Sequence, residues 1–196
     1  MKLSSRWSVS ALVAICALGC SDPVAPPAQG AFNTRVTSAS PAPAGKSCPS
    51  GASTFFEVPV VPPATTVDET LDDQTYLHWV IDGEDGAGVA CTVQGNGSFF
   101  EGRISSGGKT LDISSGTLDA TLKGKASITI GSSSQISGSL SSPPVSCTIN
   151  ASNAGGTRYE VAPGHIWATF DCSSVERQPS DYCAARGTFV LENCNK

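Results

Sequence analysis

Histidine is scarce in this 196-residue chain, which has only His78 and His165. Two imidazoles alone rarely hold zinc, and none of the eight cysteines falls in the C-x2-C spacing that zinc sites favour. No G-x-S-x-G elbow is present to position a serine nucleophile. Ser106 and Lys109 match S-x-x-K, but the S-D-N and K-T-G partners are missing, and two glycines stand where that motif needs a helix. The segment GRISSGGKT, Gly102 to Thr110, ends like a phosphate-binding loop. It encloses five residues where that loop needs four, so it reads as a β-turn. No cofactor is expected. Lysine and arginine are absent from Ser47 through Gly102, a stretch with nine carboxylates. Such a chain is a poor partner for nucleic acid, whose phosphates demand cations, and for anionic headgroups. The longest N-terminal apolar run, Ala11 to Gly19, has nine residues, against about 20 for a membrane-spanning helix.

What the chain does have is alternation. In HIWATFDC, Ile166, Ala168, Phe170 and Cys172 share one face, and His165, Trp167, Thr169 and Asp171 the other. Similar runs are FFEVPV from Phe55, YLHWVI from Tyr76, GVACTV from Gly88, GSFFEGRI from Gly97, TLDI from Thr110, GTLDATL from Gly116, ASITI from Ala126, SCTIN from Ser146 and GTFVLENC from Gly187. Between them lie GEDGAG, GNG, SSGG, SSG, KGK and GSSS, the turn chemistry of an antiparallel meander. Helical periodicity is absent after the N-terminal segment. The expectation is an all-β domain over 48–196, an antiparallel sandwich or partly closed barrel of about eight to ten strands. The near-repeat of ISSGGKTLD and ISSGTLD differs in length and has no third copy, so a solenoid is not indicated.

Lys2 and Arg6 precede the apolar run, and Ala17, Leu18, Gly19 and Cys20 close it. This layout resembles the signal peptide and lipobox of bacterial lipoproteins, in which small or aliphatic residues precede the modified cysteine. The resemblance covers about the first 21 residues. It implies export, removal of residues 1–19, and a diacylglyceryl thioether on Cys20, commonly with a third acyl chain such as palmitate on the new amine. Ser21 rather than aspartate after the cysteine implies outer-membrane sorting. The alternative is ordinary secretory cleavage before Cys20, since Ala17 and Gly19 also fit the small-x-small rule. Cysteine parity separates the two. Lipidation leaves Cys48, Cys91, Cys147, Cys172, Cys183 and Cys194, an even set, whereas ordinary cleavage leaves seven in an oxidising compartment. Of fifteen possible pairings the expected one is Cys172 with Cys183, Cys91 with Cys147, and Cys48 with Cys194. Residues 20–47, with five prolines and many Ala and Ser, read as a disordered tether of up to about 80 Å. Removing Lys2 and Arg6 leaves 10 basic residues against 17 acidic ones, a formal balance of −7.

Candidate binding residues are few. Asp82, Glu84 and Asp85 in IDGEDGAG offer hard oxygens for calcium, but the segment lacks the EF-hand pattern and reads better as a solvated acidic hairpin loop. Trp79 and Trp167 are candidate sugar-stacking rings if exposed, and core residues otherwise. A hydrolase would have to use His78, His165 and a carboxylate such as Asp171. The latter lies six residues from His165, roughly 20 Å along an extended strand. The expected function is therefore a non-catalytic, lipid-anchored envelope module whose partner is the membrane and an envelope protein or glycan. The alternatives are a secreted hydrolase or a carbohydrate-binding sandwich.

Overall fold

The computed structural model describes residues 24–48, 54–58, 68–71, 75–77, 80–134, 136, 138–152, 160–177 and 180–195, the three strands between 54 and 77 by backbone alone. Among the described residues there is no helix. The strands in chain order are β1 (Gln29–Ser38), β2 (Thr54–Val58), β3 (Asp68–Leu71), β4 (Thr75–Leu77), β5 (Val80–Ile81), β6 (Gly88–Gln94), β7 (Phe99–Ser106), β8 (Lys109–Leu118), β9 (Lys123–Ser132), β10 (Gly138–Ser141), β11 (Cys147–Asn150), β12 (Val161–Ala162), β13 (His165–Arg177) and β14 (Asp181–Glu192). All described pairings between named strands are antiparallel.

The main sheet runs β2-β1-β14-β13-β10-β9-β8-β7-β6. Both β10 and β11 bridge β9 to β13, so these four strands form a closed ring of pairings. The meander from β6 to β9 follows local turn chemistry. Gly107 and Gly108, with φ of 56° and 74°, make the two-residue turn between β7 and β8. Positive φ at both central residues matches the right-handed twist of the flanking strands. The expected turn at KGK lies one step earlier. Asp119 to Leu122 make it, and Lys123 already pairs in β9. Asp119 organises that turn by accepting hydrogen bonds from the Thr121 hydroxyl (2.6 Å), the Thr121 amide (2.7 Å) and the Lys123 amide (3.3 Å).

The sheet curls so that β7 faces β1 and β14 across the core. Phe100 stacks on Phe189 at 6.1 Å between ring centroids, and Phe170 lies 6.5 Å from Phe189 on the other side. Ile104, Leu111, Ile113, Ile128 and Ile130 complete a fully buried interior, each side chain worth roughly 1.5–3 kcal/mol of burial. Gly102 permits the approach of the layers: a Cβ there would stand 2.5 Å from Leu191 Cδ1. The outer edge of β6 is covered rather than open. Asn195 donates its amide to the Cys91 carbonyl (3.0 Å) and accepts from the Val93 amide (2.9 Å), while the Gly164 amide donates to the Val93 carbonyl (3.0 Å). Asp82 Oδ1 accepts from the Val89 amide at 2.9 Å. Covered edges of this kind do not template further strands. The all-β, disulfide-stapled, partly closed sandwich expected from the alternation is the fold observed.

Two expectations are corrected. Residues 20–47 are not a tether throughout, because 29–38 form β1, paired with β14 along its whole length and with β2 on its other side. Phe32, Thr34 and Val36 of β1 are fully buried. An interior strand next to β14 buries apolar surface that the overall composition of the segment conceals. The cysteine set is right and the pairing is not: the bridges are Cys48–Cys183, Cys91–Cys194 and Cys147–Cys172. Cys172 and Cys183 lie on adjacent strands, but the register sets Ala185 opposite Cys172 and, past a bulge, Val175 opposite Cys183. Cys147 instead precedes Thr148, whose partner is Asp171, and so meets Cys172 across β11 and β13. Residues 46–48 run beside β14, with Ser47 bonded to Ser180 and Tyr182. That run brings Cys48 to Cys183.

The Cys91–Cys194 bridge spans 103 residues and fixes the C-terminal cover on β6. The Cys91→Ala, Cys194→Ala double variant is expected to lose about 2–5 kcal/mol in urea denaturation, with hydrogen-exchange protection lost first at Val93. The hydrogen bonds to Asp119, the Thr121 hydroxyl first, hold its carboxyl below the usual aspartate range. Its contribution to stability is therefore present above the unfolded-state pKa and lost as pH falls through the lowered folded value. Melting temperatures across an acid pH series are expected to fall less steeply for Asp119→Ala than for the native chain.

Candidate functional site

The outward face of β1, β14 and β13 is laid out by register in rows across the three strands. Gln29, Glu192 and His165 occupy one row, Ala31, Val190 and Trp167 the next, and Asn33, Thr188 and Thr169 the third. Alternation predicts solvent on this face. Instead Ala31 and Val190 are fully buried, Asn33 and Thr188 nearly so, and Trp167 is only 8% exposed. The sheet is therefore enclosed on both faces around Trp167, and this ring cannot serve as an exposed stacking platform. Trp79, like His78, lies outside the described residues.

His165 opens β13, and the register sets Glu192 beside it at the end of β14. The imidazole Nδ1 stands 3.0 Å from Glu192 Oε1. This contact orients the ring and favours a proton on Nδ1. Nε2 is buried and has no hydrogen-bond partner among the described residues. The indole Nε1 of Trp167, two residues along the same face, is in the same condition. The cluster thus offers an imidazole beside a carboxylate, its second nitrogen buried, with another buried N–H donor two residues along the strand. Acid–base chemistry requires a hydroxyl, thiol or substrate within reach of Nε2, and no described side chain supplies one. Asp171 is not part of this cluster. It is exposed farther along β13, opposite Arg186. Glu192 was missed in the sequence because its proximity to His165 depends on strand pairing alone.

The acidic segment at 82–85 is a compact connector between β5 and β6. The Glu84 amide donates to the Ile81 carbonyl, the Ala87 amide to the Glu84 carbonyl and the Gly83 amide to the Ala87 carbonyl. Positive φ at Gly83, Asp85 and Gly86 sets its bends. One oxygen of Asp82 is occupied by the Val89 amide. Among the described residues no group of three or more His, Cys, Asp or Glu side chains converges on a point a metal could occupy, Asp82, Glu84 and Asp85 included.

Two shallow grooves of about 300 Å³ and 310 Å³ lie on the outer face of β6, β7 and β8, and both are lined by Arg103. Glu101 and Asp112 line the first and Asp82 the second. Neither contains a histidine or cysteine thiol, and Cys91 in the first is disulfide-bonded. No protein-family model, no curated protein and no solved structure matches this chain.

Burying an unpartnered N–H costs about 1–3 kcal/mol. Trp167→Phe keeps an aromatic ring and removes that donor, so its stability in urea is expected to equal or exceed that of the native protein. Trp167→Ala is expected to lose about 3–5 kcal/mol. A clear loss in the phenylalanine variant would show that the indole nitrogen has a partner in solution.

Proposed function

We propose that this protein is a non-catalytic envelope lipoprotein. In this reading Cys20 carries the lipid, residues 1–19 are the removed signal, and the β-body is a binding or structural module on the outer membrane. Cysteine accounting carries the reading. The three bridges consume every cysteine after Cys20. Ordinary cleavage would leave the Cys20 thiol without an intramolecular partner in an oxidising compartment, whereas acylation gives that sulfur a role. At ~0.8 kcal/mol per buried methylene, two or three acyl chains hold a protein to a bilayer where one does not.

The hydrolase reading has one observation in its favour, the His165–Glu192 contact. It lacks a nucleophile beside Nε2 among the described residues, and binding is the better reading of the site. Sugar stacking on Trp167 is set aside because the ring is enclosed.

Intact mass spectrometry of protein extracted from membranes tests the anchor. The expected species begins at Cys20, carries a diacylglyceryl group and has no thiol reactive to alkylation. Cys20→Ala is expected to leave the membrane fraction. A native species without acyl mass, or with one alkylated thiol, would overturn the reading.

A further inference from the structure

Beyond the covered rows, the register lines up one more set of outward side chains. Arg35 on β1 pairs with Arg186 on β14, Arg186 with Asp171 on β13, Asp171 with Thr148 on β11, Thr148 with Lys125 on β9, and Lys125 with Thr117 on β8. All six residues are exposed. Residues directly opposite one another share a face, so they form a line perpendicular to the strands, five strand spacings or roughly 24 Å long. None of its four charged side chains makes an ion pair or side-chain hydrogen bond among the described residues.

This arrangement runs against the character of the chain. The portion after residue 19 carries 10 basic and 17 acidic residues, yet the line holds three cations and one carboxylate. Arg35 and Arg186 stand directly opposite each other, a like-charge placement that destabilises a sheet. An anion lying over the pair would relieve it.

We propose that this line is a binding surface for an acidic polysaccharide, a partner that deepens the binding-module reading above and rests on it. Arg35 and Arg186 would grip a carboxylate on one sugar and Lys125 a second farther along. Asp171, Thr148 and Thr117 supply the acceptor and hydroxyls that sugar hydroxyl groups require. The line is too sparse for nucleic acid, which presents one charge per ~1.7 Å of duplex. Its linear form suits an extended chain better than a planar headgroup surface.

The test measures binding of the full-length protein in non-ionic detergent to immobilised polygalacturonate, with dextran as the neutral control. The expected result is salt-sensitive binding to polygalacturonate and none to dextran. The Arg35→Glu, Arg186→Glu double variant should bind about tenfold or more weakly, while Arg103→Glu, on β7 and off this line, binds like the native protein. The single variant Arg35→Glu creates an opposite-charge pair with Arg186 and leaves Arg186 opposite Asp171, so its melting temperature should rise as its binding falls. A merely structural role for the pair would not produce that opposition. Absence of binding by the native chain, equal loss in Arg103→Glu, or undiminished binding by the double variant would overturn the proposal. So would stronger capture by duplex DNA or by micelles containing phosphatidylglycerol. Because the measurement is made in detergent, it is separate from the acyl mass that decides the anchor.

Discussion

Strand β14 is bolted at both ends, and the rest of the body is assembled around that fixed rod. Cys183 near its start is tied to Cys48, and Cys194 just past its end is tied to Cys91. The loops these bonds close span 135 and 103 residues, so together they constrain most of the unfolded chain. Between the bolts, β14 pairs with β1 on one side and β13 on the other. Phe189 fills the interior from its middle, Leu191 meets the opposing layer at Gly102, and Glu192 turns outward to His165. A slip of one residue in β14 would reverse all these orientations at once.

The alternation in HIWATFDC and GTFVLENC was enough to read an all-β body, because an inward face of Ile166, Ala168, Phe170 and Cys172 has no other stable arrangement. The even cysteine set was also legible, since parity is a property of composition. Strand β1 was hidden by its setting. Five prolines flank it at 23, 26, 27, 41 and 43, but none falls within Gln29–Ser38. Within that interval Phe32, Thr34 and Val36 do alternate inward. Averaging over the whole segment erased the signal.

Disulfide partners and the His165–Glu192 contact were illegible for a different reason: both depend on register. The pairing of β13 with β14 sets Ala185, not Cys183, opposite Cys172, and nothing in the local chemistry of either cysteine announces it. The enclosure of Trp167 is a similar case. Its strand neighbours Val190 and Ala31 are distant in sequence, and only their convergence on one row makes an outward-pointing tryptophan a buried one.

The early start of β1 changes what an anchored form of this protein could reach. Eight residues lie between Cys20 and Gln29, a contour of about 30 Å at full extension. With lipid on Cys20, the leash would be no longer than a small domain is wide. The body would graze the bilayer instead of sweeping the envelope, so any partner would have to approach the membrane to be met.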